Sequence, residues 1–338
     1  MKKLKVLAIL TVVTMVIALL AACGGSQTAK PAETAKEEPA KTAEPAKTEE
    51  PAKAADKKIK IGISYQNLQN EFITAFQDEV KKTAEKMNVE LIEADGQGKA
   101  ETQISQIENF ISNGCDALIL YPYDMEGCAP AVDIANAAKV PIVIANSLVS
   151  NVDEALTFIG SNHVESGKIE MEYIAKVLNG KGNIAILYGP MGHSAQIARK
   201  EGLDEVLKKY PDIKIVAEQT AEWSRAKGMN VMENWLQSGK QIDCVAAQND
   251  EMALGAMKAL EAAGKLGEVK VIGIDAIPDA LKAVKEGKFI ATVFQDARGQ
   301  GAKSVEVAVM AVKGEKVEKE YMIPFLLITQ ENVDQYLK

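Results

Sequence analysis

Three patterns of hydrophobic and polar positions follow one another along the chain. From Val6 to Leu20 the residues are apolar apart from Thr11 and Thr14. From Gly24 to Lys58 there is no Val, Leu, Ile, Met or aromatic residue, and Pro-Ala-Lys recurs. From Ile59 onward, short β-branched runs alternate with longer amphipathic stretches. The runs at Ile59–Ser64, Val89–Ala94, Asp116–Tyr121, Val140–Ala145, Asn183–Leu187, Ile213–Ala217, Asp243–Ala247, Val269–Ile274 and Ile290–Phe294 predict buried strands. Segments such as Glu71–Lys86, Glu101–Ser112, Ala195–Lys208, Ala226–Gln237 and Glu251–Ala263 carry apolar residues at helical spacing and predict helices. Such alternation specifies parallel sheets covered by helices on both faces. With so many strands the expected fold class is α/β, with two doubly wound parallel-sheet lobes rather than one sheet.

The first two patterns lie outside that fold. Lys2, Lys3 and Lys5 precede the apolar block, and Leu20-Ala21-Ala22-Cys23 closes it. A basic start, a short apolar core and a small-residue cleavage site are the parts of a secretory signal, so the chain is expected to be exported. The closing tetrapeptide resembles a bacterial lipobox, in which the Cys is diacylated and becomes the first residue after cleavage. Residues 1–22 are then a lipoprotein signal peptide, Cys23 is the lipidation site, and 23–58 form a spacer that cannot bury apolar surface and stays disordered. Its seven Lys and seven Asp/Glu cancel, so it is a neutral, Pro-stiffened tether reaching roughly 30 Å or more. The expected membrane contact is the lipid anchor only, on the outer face of the cell membrane or in the periplasm.

Charge and cysteines narrow the partners. The formal charge of −8 becomes −11 once the signal lysines are removed, and all of it lies on the globular part, which argues against nucleic acid. Cys115, Cys128 and Cys244 are odd in number, with no C-x-x-C spacing and no His cluster beside them. They predict small apolar core residues, no metal site is indicated, and a disulfide between two of them stays open.

In doubly wound sheets the ligand lies outside the carboxyl ends of the strands. After the first strand come Gln66, Asn67, Asn70 and Phe72; after the fourth, Asn146 and Ser147. After Leu187 come Gly189-Pro190-Met191-Gly192-His193 and then Arg199 in the next helix; after Ala217, Trp223 and Arg225. Asn249 and Asp250 follow Ala247, Asp275 follows Ile274, and Gln295 and Asp296 follow Phe294. Any one of these is more often a helix cap or turn residue than a ligand contact. Their repetition at strand exits points to one polar, partly aromatic site.

These residues in this order resemble the periplasmic sugar-binding proteins of bacterial ABC transporters, the group that includes the ribose and galactose/glucose binders. The resemblance covers the whole folded region. It is carried by Ile61-Gly62-Ile63-Ser64 with Asn70 and Phe72, the Val140-Pro141 strand ending in Asn146, Gly192-His193 with Arg199, Trp223, Gln248-Asn249-Asp250-Glu251, Gly273-Ile274-Asp275-Ala276 and Phe294-Gln295-Asp296. It implies two lobes that close on a ligand, with crossings near Ser161-Asn162, Phe294-Gln295 and Ile323-Pro324. One lobe would comprise 59–161 plus 295–323, the other 162–294 plus 324–338. It further implies a monomer that needs no cofactor, captures a small sugar or cyclitol, and delivers it to an ABC transporter permease. Phe72 and Trp223 are the expected aromatic clamp on the apolar faces of a sugar; Gln66, Asn70, Asn146, His193, Arg199, Asn249, Asp275 and Gln295 are its polar rim. Trp235 is expected in the core, Phe72 in the core or the clamp, and His163 at a helix cap or on the surface. Asp250 is expected to cap a helix beginning at Glu251, with Asn249 free for the ligand.

Departures from the pattern bear on which sugar. Asn70 and Ala195 stand where galactose binders have Asp, Ser147 replaces a basic residue, and the calcium loop of some galactose binders is absent at Leu178–Asn183. A hexose, a pentose, a cyclitol such as inositol or a furanose-like signalling molecule is compatible with these positions. Three other classes compete with this reading. An exported enzyme lacks support, since there is no G-x-S-x-G, no G-x-x-x-x-G-K-[ST] and no G-x-G-x-x-G after the first strand. A ligand-sensing transcription regulator needs a DNA-reading helix pair where this chain has a signal and spacer. A sensor presenting ligand to a membrane receptor is binding too, and stays open as an alternative or additional role.

Overall fold

The computed structural model describes residues 58–337. The expected signal peptide, Cys23 and nearly all of the expected spacer lie outside the described residues. The first half of the fold contains β1 (Lys60–Tyr65), α1 (Glu71–Lys86), β2 (Glu90–Asp95), α2 (Ala100–Ser112), β3 (Ala117–Leu120), α3 (Pro130–Ala137), β4 (Ile142–Asn146) and β5 (Thr157–Gly160). Then come α4 (His163–Val177), β6 (Lys181–Tyr188), α5 (Ser194–Leu207), β7 (Asp212–Thr220), α6 (Arg225–Gln237), β8 (Cys244–Ala247), α7 (Asp250–Ala262), β9 (Lys270–Asp275), α8 (Pro278–Lys285) and β10 (Ala291–Phe294). The chain closes with α9 (Ala297–Val312), β11 (Glu320–Met322) and β12 (Leu326–Ile328).

The strands form two six-stranded sheets, ordered β2-β1-β3-β4-β5-β11 and β7-β6-β8-β9-β10-β12. The same doubly wound order is thus built twice. All named pairs are parallel except β10 with β12, which run antiparallel. In each sheet the order reverses beside its first strand, between β1 and β3 and between β6 and β8, and such a switch point opens a crevice at the strand carboxyl ends. The chain passes between the sheets three times. It leaves the first after β5, since α4 packs on α5 and β9; it returns after β10, since α9 packs on α1, β3 and β4; and it leaves again between β11 and β12.

Central strands are apolar on both faces because helices cover both. Every residue of β3, β4, β5 and β8 is buried. In α1 the buried positions Phe72, Ile73, Phe76, Val80 and Ala84 fall on one stripe, the spacing of an amphipathic helix. The second and sixth predicted strands differ from expectation. β2 has no fully buried residue and β7 only one, because they are the outer strands of their sheets, and β7 runs on to Thr220. Cys115, Cys128 and Cys244 are free and buried. Among the described residues no helix is long and apolar enough to cross a membrane.

Two helix pairs are held by glycine in backbone contact. A Cβ at Gly202 of α5 would overlap the carbonyl of Val164 in α4, and one at Gly167 would overlap that of Arg199. Gly255 of α7 stands likewise against the carbonyl of Arg225, and Gly228 of α6 against that of Met252. These contacts fix the N-termini of α5, α6 and α7, which begin at the strand exits. Gly202→Ala forces α4 and α5 apart and is expected to cost about 1–3 kcal/mol, as overpacking does. Urea unfolding of the two proteins measures this, and an unchanged midpoint would show that the pair yields freely.

Candidate functional site

A small cavity lies where the carboxyl ends of the two sheets face each other. All ten residues selected from the sequence line it. Gln66, Asn70, Phe72 and Asn146 come from exits of the first sheet; His193, Arg199, Trp223, Asn249 and Asp275 come from the second; Gln295 lies on the second crossing. Tyr121 and Ala195 complete the lining. Phe72 and Trp223 are 6% and 7% exposed and each also packs into the apolar core, so for these two residues core and cavity wall are the same thing. Trp235 is buried in the core away from the lining.

Capping and lining are not alternatives here. Asn70 is the N-cap of α1, its Oδ1 accepting from Ile73 N at 2.9 Å, and Asn249 is the N-cap of α7, its Oδ1 accepting from Met252 N at 3.0 Å. His193 caps α5, its Nδ1 accepting from Ala195 N at 3.2 Å. That acceptance leaves the ring proton on Nε2, which lies 3.3 Å from the hydroxyl of Ser147 across the cleft. Burial, and then the Arg199 charge, lower the His193 pKa to about 3, so the imidazole is neutral.

Arg199 is 4% exposed and organises its side of the cavity. Its Nη1 donates to the carbonyl of Gln248, its Nη2 donates to Gln295 Oε1 at 2.8 Å, and its guanidinium stands 5.6 Å from the centre of the Trp223 ring. Asp275 Oδ1 is 3.8 Å from Nη2. Burial raises the Asp275 carboxyl well above its ordinary range, opposed by the neighbouring guanidinium. Behind it, Asp250 accepts from the Thr292 hydroxyl at 2.8 Å and from Ile277 N at 3.0 Å, holding the turn on which Asp275 sits. Asn146, Trp223 and Asp275 have φ of 64°, 59° and 129°. Such values are uncommon for residues with a side chain, and they persist where the surroundings over-determine them. The Trp223 ring lies over Gly189, where a Cβ would overlap it.

Several positions correct the sequence reading. Asp250 does not cap; it is the first residue of α7 and fully buried, while Asn249 both caps and lines. His163 is neither cap nor surface residue. Asn162 caps α4, and His163 is buried against Phe325 with Nε2 3.0 Å from the carbonyl of Asn146. Burial and the charge of Arg199 hold its pKa well below the ordinary value. Asn146 in turn donates to Gln300 Oε1 at 2.8 Å, and Gln300 donates to Ser161 at 3.1 Å. A lining residue is thereby tied to segments at all three crossings. Tyr121 was missed because it closes an apolar run; β3 ends at Leu120, so Tyr121 is itself a strand exit, and that position was the available signal.

The two lobes also meet at the rim. Leu148 N donates to the Ser194 hydroxyl at 2.7 Å and Met125 N to the Gly192 carbonyl at 3.2 Å. Arg225 at the start of α6 pairs with Glu251 at 2.7 Å and Asp279 at 3.0 Å on its own lobe, and reaches Glu71 of the other at 3.5 Å.

Relatives share this architecture. A family model described as a periplasmic binding protein domain matches residues 61–316. A xylitol-binding protein of Mycolicibacterium smegmatis is 40% identical over 276 residues, 81% of this chain and 78% of that one. The ribose import binding protein of Salmonella typhimurium is 36% identical over 274 residues, 81% of this chain and 92% of that one. The crystal structure of an ABC transporter solute binding protein from Bacillus halodurans, with bound myo-inositol, superposes with a TM-score of 0.81 at 49% identity, covering 84% of this chain and 99% of that one. With two doubly wound sheets facing across a buried polar cavity and a family match over most of its length, the chain belongs to the periplasmic binding protein family.

Proposed function

We propose that this protein is an extracytoplasmic solute-binding lipoprotein that captures a small sugar or cyclitol between its lobes and delivers it to an ABC permease. One observation carries the reading. Gln66, Arg199 and Gln295 each direct a buried atom, Oε1, Nε and Nε2 respectively, that has no protein partner, and all three line the same cavity. A buried polar atom left unmade costs about 1–3 kcal/mol, so the chain sets these groups aside for a polar ligand. Phe72 and Trp223 supply the apolar walls that a sugar or cyclitol ring needs. The 49% identical relative holding myo-inositol makes that cyclitol the first compound to test.

The lobes are 59–161 plus 295–323 and 162–294 plus 324–338, moving about the three crossings as one monomer. Hinge closure of this kind lets a permease tell loaded from unloaded protein. No residue is assigned to catalysis. Cys23 carries the lipid anchor, and the spacer holds the binding unit off the membrane.

Three outcomes are expected. Ligand at 100 times its dissociation constant adds about 2.7 kcal/mol of stability, and myo-inositol should lead a thermal-shift panel, with galactose and glucose at least about tenfold weaker because a missing hydroxyl partner costs about 1–3 kcal/mol. Ligand should change tryptophan emission in the parent and in Trp235→Phe but not in Trp223→Phe; unchanged emission in the parent, or glucose or galactose leading the panel, would overturn the assignment. Cys23→Ser should move the protein from membranes to the soluble fraction, and equal membrane retention of the variant would remove the anchor.

A fourth outcome follows from the His193 pKa of about 3 against an ordinary value near 6.5. Between those values the unfolded chain binds more protons than the folded one, so this contribution is complete above pH 6.5 and lost as pH falls toward 3. Buried Asp275 and Glu170, whose carboxyls are raised by burial, act in the opposite sense. The comparison of the parent with His193→Asn, which keeps a capping oxygen, isolates the histidine. The stability difference should shift toward the variant by at most about 1.4 kcal/mol per pH unit below pH 6.5, and parallel pH profiles would show that His193 titrates normally.

A further inference from the structure

His163 opens α4 directly after the first crossing and is 5% exposed, yet it does not line the cavity. Its ring is held between segments that belong to different lobes. Nε2 lies 3.0 Å from the carbonyl of Asn146, the last residue of β4, and the ring packs on Phe325 of the third crossing with centres 5.6 Å apart. A carbonyl only accepts, so the ring proton sits on Nε2 and Nδ1 is a bare acceptor. Nδ1 is buried and has no protein partner. A second proton there would make a buried cation whose new N–H has no protein group to donate to, which is costly. The other buried side-chain atoms without a partner, among the described residues, are of two kinds. Those of Gln66, Arg199 and Gln295 line the cavity, where a ligand reaches them. Those of Asn151, Glu170 and Gln196 lie among groups of a single lobe. His163 Nδ1 stands instead at a crossing, out of reach of the ligand. The charged groups acting on the ring are Arg199 of α5 and, more weakly, His193 at its cap. β4 and the segment Ile323-Pro324-Phe325 carry no charge, and no carboxylate offsets the guanidinium. Burial first, and Arg199 after it, hold the imidazole neutral in this arrangement.

We infer that His163 is a proton-linked hinge residue: when the lobes part, the ring is freed from Asn146 and Phe325 and takes up a proton from water, and closure on a ligand expels that proton. This rests on the reading of hinge closure around a small ligand and adds a pH dependence to it. The closed protein binds fewer protons than the open one, so ligand is held more tightly as pH rises toward the ordinary histidine value near 6.5 and less tightly below it. One histidine contributes up to about tenfold in affinity per pH unit. Above that value His163 is neutral in both arrangements and its contribution is flat. The hinge thus favours capture in neutral surroundings and release in acid ones, through a group that never touches the ligand.

The chain has two histidines, so both rings can be followed by NMR in the full chain as pH is varied. The signal lost in His163→Gln, or the one kept in His193→Gln, assigns them. His163→Gln keeps an N–H for the Asn146 carbonyl and removes the titrating group. In the free parent the His163 midpoint is expected within about one unit of the ordinary histidine value, and saturating myo-inositol should lower it by more than about one unit. Calorimetry with myo-inositol between about pH 5 and 6.5 should then give a slope of log affinity against pH that is smaller in His163→Gln than in the parent, by about one-half to one. His193, Asp275 and Glu170 are present in both proteins and cancel in that difference. Equal midpoints in the free and saturated parent, or equal slopes in the two proteins, overturn the inference. If neither myo-inositol nor any neutral sugar binds, the ligand reading fails instead, and the free parent still decides. A midpoint within about one unit of the ordinary value supports the inference, because the ring then leaves its burial when the lobes are empty, and a midpoint further below overturns it.

Discussion

A guanidinium almost wholly withdrawn from water is the constraint on which the second lobe is arranged. An isolated buried charge is too costly to keep, so it must be paired and hydrogen-bonded. Arg199 meets that demand by drawing in partners from three separate strand exits: the carbonyl of Gln248 after β8, Asp275 at the end of β9 and Gln295 after β10. Trp223 lies beside the same group from the exit of β7. Each partner therefore has its position dictated by the charge it serves, and Nε is the one guanidinium nitrogen left without a protein partner. The positive φ of Asp275 and Trp223 and the buried Asp250 beneath the turn are the local costs of that arrangement.

What was legible in the sequence was whatever repeats with a period. Strands stood out because central strands in a two-sided sheet are apolar throughout, and once they were placed, the residues after them became a list of candidates that one cavity gathers together. Features without a periodic signature were not legible. β11 and β12 have only three residues each, too few to show alternation. His163 reads as a polar residue at a helix start and is in fact packed on Phe325, more than a hundred and fifty residues along the chain; no local pattern reports a partner at that distance. The cap falls on Asn249 and not on Asp250, although both are good caps by composition, and only the depth of Thr292 and Ile277 decides that Asp250 turns inward.

The doubled topology explains why the site is a cavity between lobes and not a groove on one. Each sheet reverses its order beside its first strand, and each alone would present a shallow crevice of polar exits. Facing the two crevices toward one another encloses the ligand, and the crossings keep them in register. Asn146 shows how closely enclosure and hinge are joined, since its carbonyl reaches His163, its amide reaches Gln300, and Gln300 reaches Ser161. Its left-handed backbone places the side chain at the cavity, and its hydrogen bonds place it at the crossings.

Arg225 lies outside all of this, on the rim, where it is 39% exposed and touches Glu71 of the opposite lobe at 3.5 Å. A transporter that reads closure as a report of cargo counts every empty closed molecule as a false positive. Any attraction between the lobes that does not pass through the ligand raises that error, tenfold for each 1.4 kcal/mol of added bias. A half-exposed pair screened by salt contributes little on that scale. In the proposed closure this pair can thus help to align the lobes without being strong enough to keep them shut, and the accuracy of the message stays with what is held inside.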